Sequence, residues 1–337
     1  MNAIACRLWT MIATCLLFSI SAVGQSSNCL RPGDEVWLIS ARDFGSCCDA
    51  NNFHCQRYSA GNWYDTSCAE LFAANDAQPV CSPVVYVHGY QTDLGDAKLR
   101  GVQVYDRLFR ACENTQPIRY IIWAWKSERE SLRFVQEFQE KASKANRLGD
   151  AFAMTLNRLQ SSPPTVIAYS LGAQISISAL VKSDVYTGQP VQLAVIAAAT
   201  DCGFPGDCSQ MRQSGNISTS YVFVNRGDVA IRAARLGCRI ANGRKQIKFE
   251  RIAPRYPAQL GHVKIIDVTA RAKRNHSVLC YTSLPIVVSC INELIAIGCS
   301  RATNPPAASN QIGKAIEDSS SIQMAELNCS SDICVMR

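Results

Sequence analysis

Apolar and polar stretches alternate along this chain with a regularity that predicts its elements. Glu35 to Ala41 reads as a strand, whereas the segment after it, through Gln78, is polar, carries scattered aromatics and keeps no period, so an irregular loop is expected there. Pro83 to Val87, Ile118 to Trp125, Thr165 to Tyr169, Val191 to Ala199, Ser220 to Asn225 and Val263 to Val268 are short β-rich runs, apolar at successive rather than alternate positions. That is how strands buried on both faces of a parallel sheet read. Helical stretches separate them. Asp96 to Cys112 places Leu99, Val102, Val104, Leu108 and Phe109 on one broad face. Glu128 to Gln160 is helical by composition, with Leu148, Ala151, Phe152, Thr155, Leu156 and Leu159 as its stripe. The helix after Ser170 runs to about Lys182 and is apolar on both sides, and another covers roughly Leu284 to Ile297. Strands alternating with helices predict an α/β fold of three layers, a mostly parallel central sheet with helices on both faces.

The two ends depart from this pattern. Residues 1–24 hold one charge, Arg7, followed by an apolar run from Leu8 to Ile20 and the small residues Ala22-Val23-Gly24. They read as a signal peptide cut near Gln25, with an N-terminal membrane anchor as the alternative. The chain then divides into residues 25–82, the first strand plus a cysteine-rich, disulfide-stabilised loop, residues 83–299, the α/β core, and residues 300–337, a loosely attached or disordered tail with Pro305-Pro306 and a serine run. Cys6 and Cys15 leave with the signal, so 15 of the 17 cysteines remain, too many for a reducing cytosol. A secreted, periplasmic or cell-surface location is expected, with disulfides among Cys29, Cys47, Cys48, Cys55, Cys68 and Cys81. Cys202 and Cys208 are close enough in sequence to close a small ring. The net charge of +7 is mild and the basic residues are spread, which argues against a nucleic-acid partner. No later stretch is long and apolar enough to span a bilayer, so no stable membrane insertion is expected once the signal is removed.

The run from Thr165 to Ala173 carries the chemistry. It stops at Ser170 and continues as a helix, a strand–turn–helix in which a strained turn lifts the serine hydroxyl clear of the sheet. Ala168 and Gly172, two before and two after, meet the need for small residues in that crowded turn. A serine hydroxyl needs a base within reach and a carboxylate to hold that base in the right tautomer. In a parallel sheet such groups must follow the C-terminal ends of neighbouring strands. Of the four histidines, His54 lies in the cysteine loop and His262 precedes the last strand, while His276 follows it; His276 is therefore the base. His88, after Pro83 to Val87, reads as a structural histidine holding its loop. For the acid, Asp228 follows a strand in Asn225-Arg226-Gly227-Asp228, where glycine frees the turn, and Asp201 is the alternative. Asp267 lies within a strand and reads as a local acceptor. Cys47, Cys48, His54 and Cys55 contain no CxxC pair and fit no common zinc spacing; no metal or organic cofactor is called for.

Ser40-Ala41-Arg42, Val87-His88-Gly89-Tyr90, Trp123-Ala124-Trp125-Lys126-Ser127, Ala168-Tyr169-Ser170-Leu171-Gly172 and Asn275-His276-Ser277 together resemble the α/β-hydrolase superfamily, and more narrowly a branch of largely uncharacterised exported bacterial serine hydrolases. The resemblance covers about Val36 to Ile297. Members usually carry a histidine and, before it, a glycine where this chain has Tyr169 and Ala168, and a proline where it has Lys126. Tyr169 is a candidate determinant of pocket shape. The resemblance implies an oxyanion hole from the N–H of Leu171 and one from Gly89 or Tyr90. It also implies an exported hydrolase cleaving carboxylic esters, of a small molecule or a lipid, through an acyl-serine intermediate. A lipase or acyltransferase, or a catalytically inactive binding or structural protein on the same fold, are the alternatives.

Overall fold

The computed structural model describes residues 30–43, 53–77, 82–111, 116–131, 134–159, 161–199, 211, 214–232, 259–260 and 262–303. Within them the chain runs β1 (Glu35–Ser40), β2 (His54–Ser59), β3 (Asn62–Ser67), α1 (Cys68–Ala77), β4 (Ser82–Val87), α2 (Leu94–Phe109), β5 (Ile118–Ala124), α3 (Phe134–Arg147) and α4 (Gly149–Asn157). It continues through β6 (Thr165–Tyr169), α5 (Leu171–Ile177, widening into a π turn over Ser178–Lys182), β7 (Val191–Ile196), β8 (Ile217–Val224), β9 (Gln259–Leu260), β10 (Val263–Asp267), α6 (Thr269–Ala272), α7 (Val278–Tyr281) and α8 (Pro285–Thr303).

These strands form one sheet in the order β3-β2-β1-β5-β4-β6-β7-β8-β10-β9. All pairings from β1 through β10 are parallel, and the antiparallel ones are β1–β2, β2–β3 and β10–β9 at the two margins. The continuous apolar reading of the strands follows from burial on both faces. Along β5, Ile121 and Trp123 enter one core with Phe152, Leu156 and Ala173, while Tyr120 and Ile122 enter the other with Tyr105, Leu108 and Ile291. Successive side chains point to opposite faces, so each strand feeds both helix layers. The in-register pairs Val87 with Ala168, Tyr169 with Ile196 and Val224 with Asp267 bring the C-terminal ends of β4, β6, β7, β8 and β10 to one edge. That edge carries the site.

Three expectations need correction. Residues 54–77 are a β-hairpin and a helix, not an irregular loop. Ser59 pairs with Asn62 around Ala60 and Gly61, both at positive φ (47° and 84°), the tight turn that matches strand twist. The turn went unread because alanine rarely takes that conformation. Cys55 and Cys68 are free thiols buried in the core, where they pack as small apolar residues, and Cys68 Sγ lies 3.2 Å from the Phe53 carbonyl oxygen. The expected disulfides are thus not formed at these two. Cys29, Cys47, Cys48, Cys81, Cys202 and Cys208 lie outside the described residues, as do residues 1–24 and the tail from 304.

Second, the stretch from Glu128 is not helical throughout. Helix begins at Phe134 because the Glu137 carboxylate accepts the N–H groups of Glu130 (2.7 Å) and Ser131 (2.8 Å), turning the preceding chain into a loop. Third, α2 buries Ala97, Gly101, Val104, Tyr105, Leu108 and Phe109, while Leu99 is exposed. Alanine and glycine complete the inward stripe that a search for large apolar residues assigns elsewhere. No helix among the described residues is long and apolar enough to cross a membrane.

Candidate active site

Ser170 stands between β6 and α5 at φ 53°, ψ −119°. A non-glycine residue is rarely found there, and the conformation persists only where its surroundings enforce it. They do so from both sides: Ser170 N–H donates to Ile196 O (3.0 Å), and Ser170 O accepts from Ala173 (3.1 Å) and Ala199 (3.1 Å). The end of β7 therefore clamps the turn. Small neighbours are required for a measurable reason. A β-carbon on Gly172 would stand 2.3 Å from the Val87 carbonyl oxygen, so α5 begins directly against the end of β4.

The Ser170 hydroxyl lies 3.1 Å from His276 Nε2, and His276 Nδ1 lies 2.6 Å from Asp228 Oδ2. This spacing fixes the tautomer: Nδ1–H donates to the carboxylate and Nε2 accepts from the serine. Asp228 is buried, 1% exposed, and its other oxygen accepts the Ile231 N–H at 3.0 Å. The structure thus brings together the serine, histidine and aspartate singled out by the sequence. Asp201 lies outside the described residues. His262 faces Met211 O (3.2 Å) at the start of β10, and Asp267 pairs with Arg226 (3.1 Å) and accepts the Thr269 N–H. His54 pairs with Asp65 at 3.0 Å on the hairpin.

The loops carrying the acid and the base are tied to each other. Asn225 at the end of β8 accepts the Gly227 N–H through Oδ1 (2.9 Å) and donates through Nδ2 to Asn275 O (3.1 Å), one residue before His276. Tyr169 lies with its ring centroid 5.3 Å from that of His276 and donates its hydroxyl to the His276 carbonyl oxygen at 2.5 Å. Burial pushes the Tyr169 hydroxyl well above its ordinary range, so it remains a donor. Tyr169 therefore fastens the base loop to the elbow strand, a role its position before the serine did not announce. Asn225 was likewise visible only as part of a turn.

The loop after β4 reaches the same edge. A β-carbon on Gly89 would lie 2.8 Å from Ser170 Cβ, so this backbone runs alongside the serine. Leu171 is the first residue of α5, and its N–H belongs to the group of amides that a helix leaves unused at its start. Tyr90 packs edge-on against Phe138, with centroids 5.9 Å apart. Behind the loop His88 is a structural residue, as read from the sequence. Its Nε2 accepts the Trp125 N–H (3.1 Å), its carbonyl accepts Trp125 Nε1–H (2.9 Å), and its Nδ1 lies 2.9 Å from Gly89 O. Burial lowers its pKa to about 4, which keeps the ring neutral. Ser127 adds a second clamp, its hydroxyl within 2.9 Å of Gly89 O and 3.0 Å of Thr92 O.

A strained serine, a base at hydrogen-bond distance, a buried acid behind that base and the first amide of α5 beside the serine can together activate a hydroxyl and receive negative charge on a bound oxygen. Among the described residues no group of three or more histidine, cysteine, aspartate or glutamate side chains could hold a metal ion. Comparison with the curated proteins finds no significant match. Residues 68–295 match the family described as alpha/beta hydrolase of unknown function (DUF900), and this chain belongs to that family of α/β hydrolases.

Proposed function

We propose that the protein is a serine hydrolase that cleaves carboxylic esters. The observation that carries this reading is the continuous path from Ser170 Oγ through His276 (3.1 Å) to the buried Asp228 carboxylate (2.6 Å). In it, Ser170 attacks the acyl carbonyl as His276 Nε2 takes its proton. The negative oxygen of the tetrahedral intermediate is held by the N–H of Leu171 and one from Gly89 or Tyr90, each such donor contributing on the order of 3 kcal/mol to the transition state. His276 then returns the proton to the departing alkoxide, leaving an acyl-serine. Water, deprotonated by His276 in turn, releases the acid and restores the enzyme. Asp228 orients the imidazole and stabilises the imidazolium. The substrate class is a small-molecule or lipid ester, and the signal-like residues 1–24 support export.

The test is labelling with a fluorophosphonate probe together with hydrolysis of short p-nitrophenyl esters. Ser170 should be the modified residue, and Ser170→Ala should abolish both labelling and turnover. Undiminished ester hydrolysis by Ser170→Ala would overturn the reading, and a wild-type chain inert to both reagents would point to a binding protein on a hydrolase frame.

A further inference from the structure

The segment that supplies His276 supplies one more group to the site, from the end of α7. Tyr281 is fully buried, and its hydroxyl lies 3.1 Å from Asp228 Oδ2 and 3.4 Å from the Asn275 carbonyl oxygen. A phenol has one proton to give. The shorter contact, to a charged acceptor, takes it, because hydrogen bonds to an ionised oxygen are about twice as strong as neutral ones. Oδ2 is the same oxygen that faces His276 Nδ1 at 2.6 Å, while Oδ1 accepts the Ile231 N–H at 3.0 Å. The carboxylate is therefore held at both oxygens, and the oxygen that serves the base carries two donors.

We propose that Tyr281 is a positioning residue of the site: its O–H fixes Asp228 Oδ2 in line with His276 and withdraws part of the negative charge that the carboxylate presents to the imidazole. The proposal rests on the reading of Ser170, His276 and Asp228 as the catalytic set. Burial, reinforced by the Asp228 charge, pushes the Tyr281 hydroxyl far above its ordinary range, which keeps the proton on the phenol as a donor. Among the described residues the other titratable or charged groups around Tyr281, the Asp228 carboxylate and the neighbouring Tyr169 on β6 are Tyr86 on β4, Arg100 on α2 and Cys280 beside Tyr281. None of these takes the place of a donor on Oδ2. With the hydroxyl removed, the carboxylate oxygen keeps its burial and loses a partner. Its charge then falls more fully on His276, which favours the imidazolium.

The test compares Tyr281→Phe with the wild type in the full chain. The acid limb of kcat/KM for a p-nitrophenyl ester should move to higher pH by about half a unit to one unit. At the optimum kcat should fall about three- to tenfold with KM within about twofold, since positioning acts on the transition state rather than on ground-state binding. The proton between His276 Nδ1 and Asp228 should give a downfield NMR resonance that shifts in Tyr281→Phe, a readout that needs no turnover. Site-specific 3-fluorotyrosine at 281, a stronger donor that keeps the ring, should displace the acid limb the opposite way and serves if the phenylalanine variant does not fold. An acid limb and a resonance unmoved by either replacement would overturn the proposal. A wild-type chain whose Ser170 resists labelling would overturn the proposed function instead, and the resonance alone then decides whether Tyr281 holds Asp228.

Discussion

The α-carbon of Gly227 packs against the carbonyl oxygen of Lys273, so closely that a β-carbon at 227 would stand 2.2 Å from it. The sequence suggested that glycine freed the turn, but Gly227 is not among the residues at positive φ. What it permits is an approach: the loop carrying Asp228 lies directly on the loop carrying His276. The contact is to backbone on an element fixed from the other side, with Lys273 itself at φ 53°, so it has little room to yield.

Gly227→Ala should therefore push the two loops apart. Displacements of about 1 Å at a reacting group can cost on the order of a hundredfold in rate, and a loss of between about ten- and a hundredfold in kcat/KM is expected. Overpacking of this kind also costs about 1–3 kcal/mol of stability. Ester kinetics and a thermal melt on the same preparation check both; an alanine variant with wild-type rate would mean that the loops move independently.

Asp228→Asn should keep the fold and lose about a thousandfold or more in kcat, because an amide in place of the carboxylate no longer holds Nδ1–H and so leaves the base in the wrong tautomer. Asp201→Asn should stay within about twofold of the wild type, since Asp228 already occupies the position behind His276. Equal losses in the two variants would remove Asp228 from its assigned place.

The neutrality of His88 makes the stability of the fold depend on pH. Its folded pKa, about 4, lies below the ordinary value of 6.5 because burial disfavours the charged ring. A base depressed in this way contributes stability above pH 6.5 and loses it as pH falls toward 4, where the unfolded chain binds a proton that the folded chain refuses. The contribution is on the order of 3 kcal/mol. Urea unfolding of His88→Asn should show a lower stability at pH 7 and a flatter fall between pH 6.5 and 4 than the wild type. Parallel slopes would place the pH dependence elsewhere.

Much of the fold was legible because burial on both faces leaves a plain trace. β4, β5, β6 and β7 were read from unbroken apolar runs, whereas their order on the sheet, β5-β4-β6-β7, came only with the tertiary structure. The hairpin of β2 and β3 was missed because it lies at the margin, where Tyr58 and Trp63 pair across the strands (5.1 Å) while polar residues face outward. Its turn also uses alanine where asparagine or glycine would have announced it. The same local rule failed at α2, where the inward stripe runs through Ala97 and Gly101.

By itself the sequence determined the parallel sheet, the sharp turn at Ser170 and the candidates able to serve it, since strand ends are the places where an α/β fold presents chemistry and His276, the aspartates after β7 and β8, and His88, read as structural, follow such ends. The tertiary structure decided what holds them in place. Tyr169 on the His276 backbone, Asn225 across to Asn275, Tyr281 on Asp228 and Gly227 against Lys273 join residues far apart in the chain. A tyrosine or asparagine is a common residue with no period to betray it. Its partner is set by where two loops come to rest, and that is a property of packing rather than of any window of sequence.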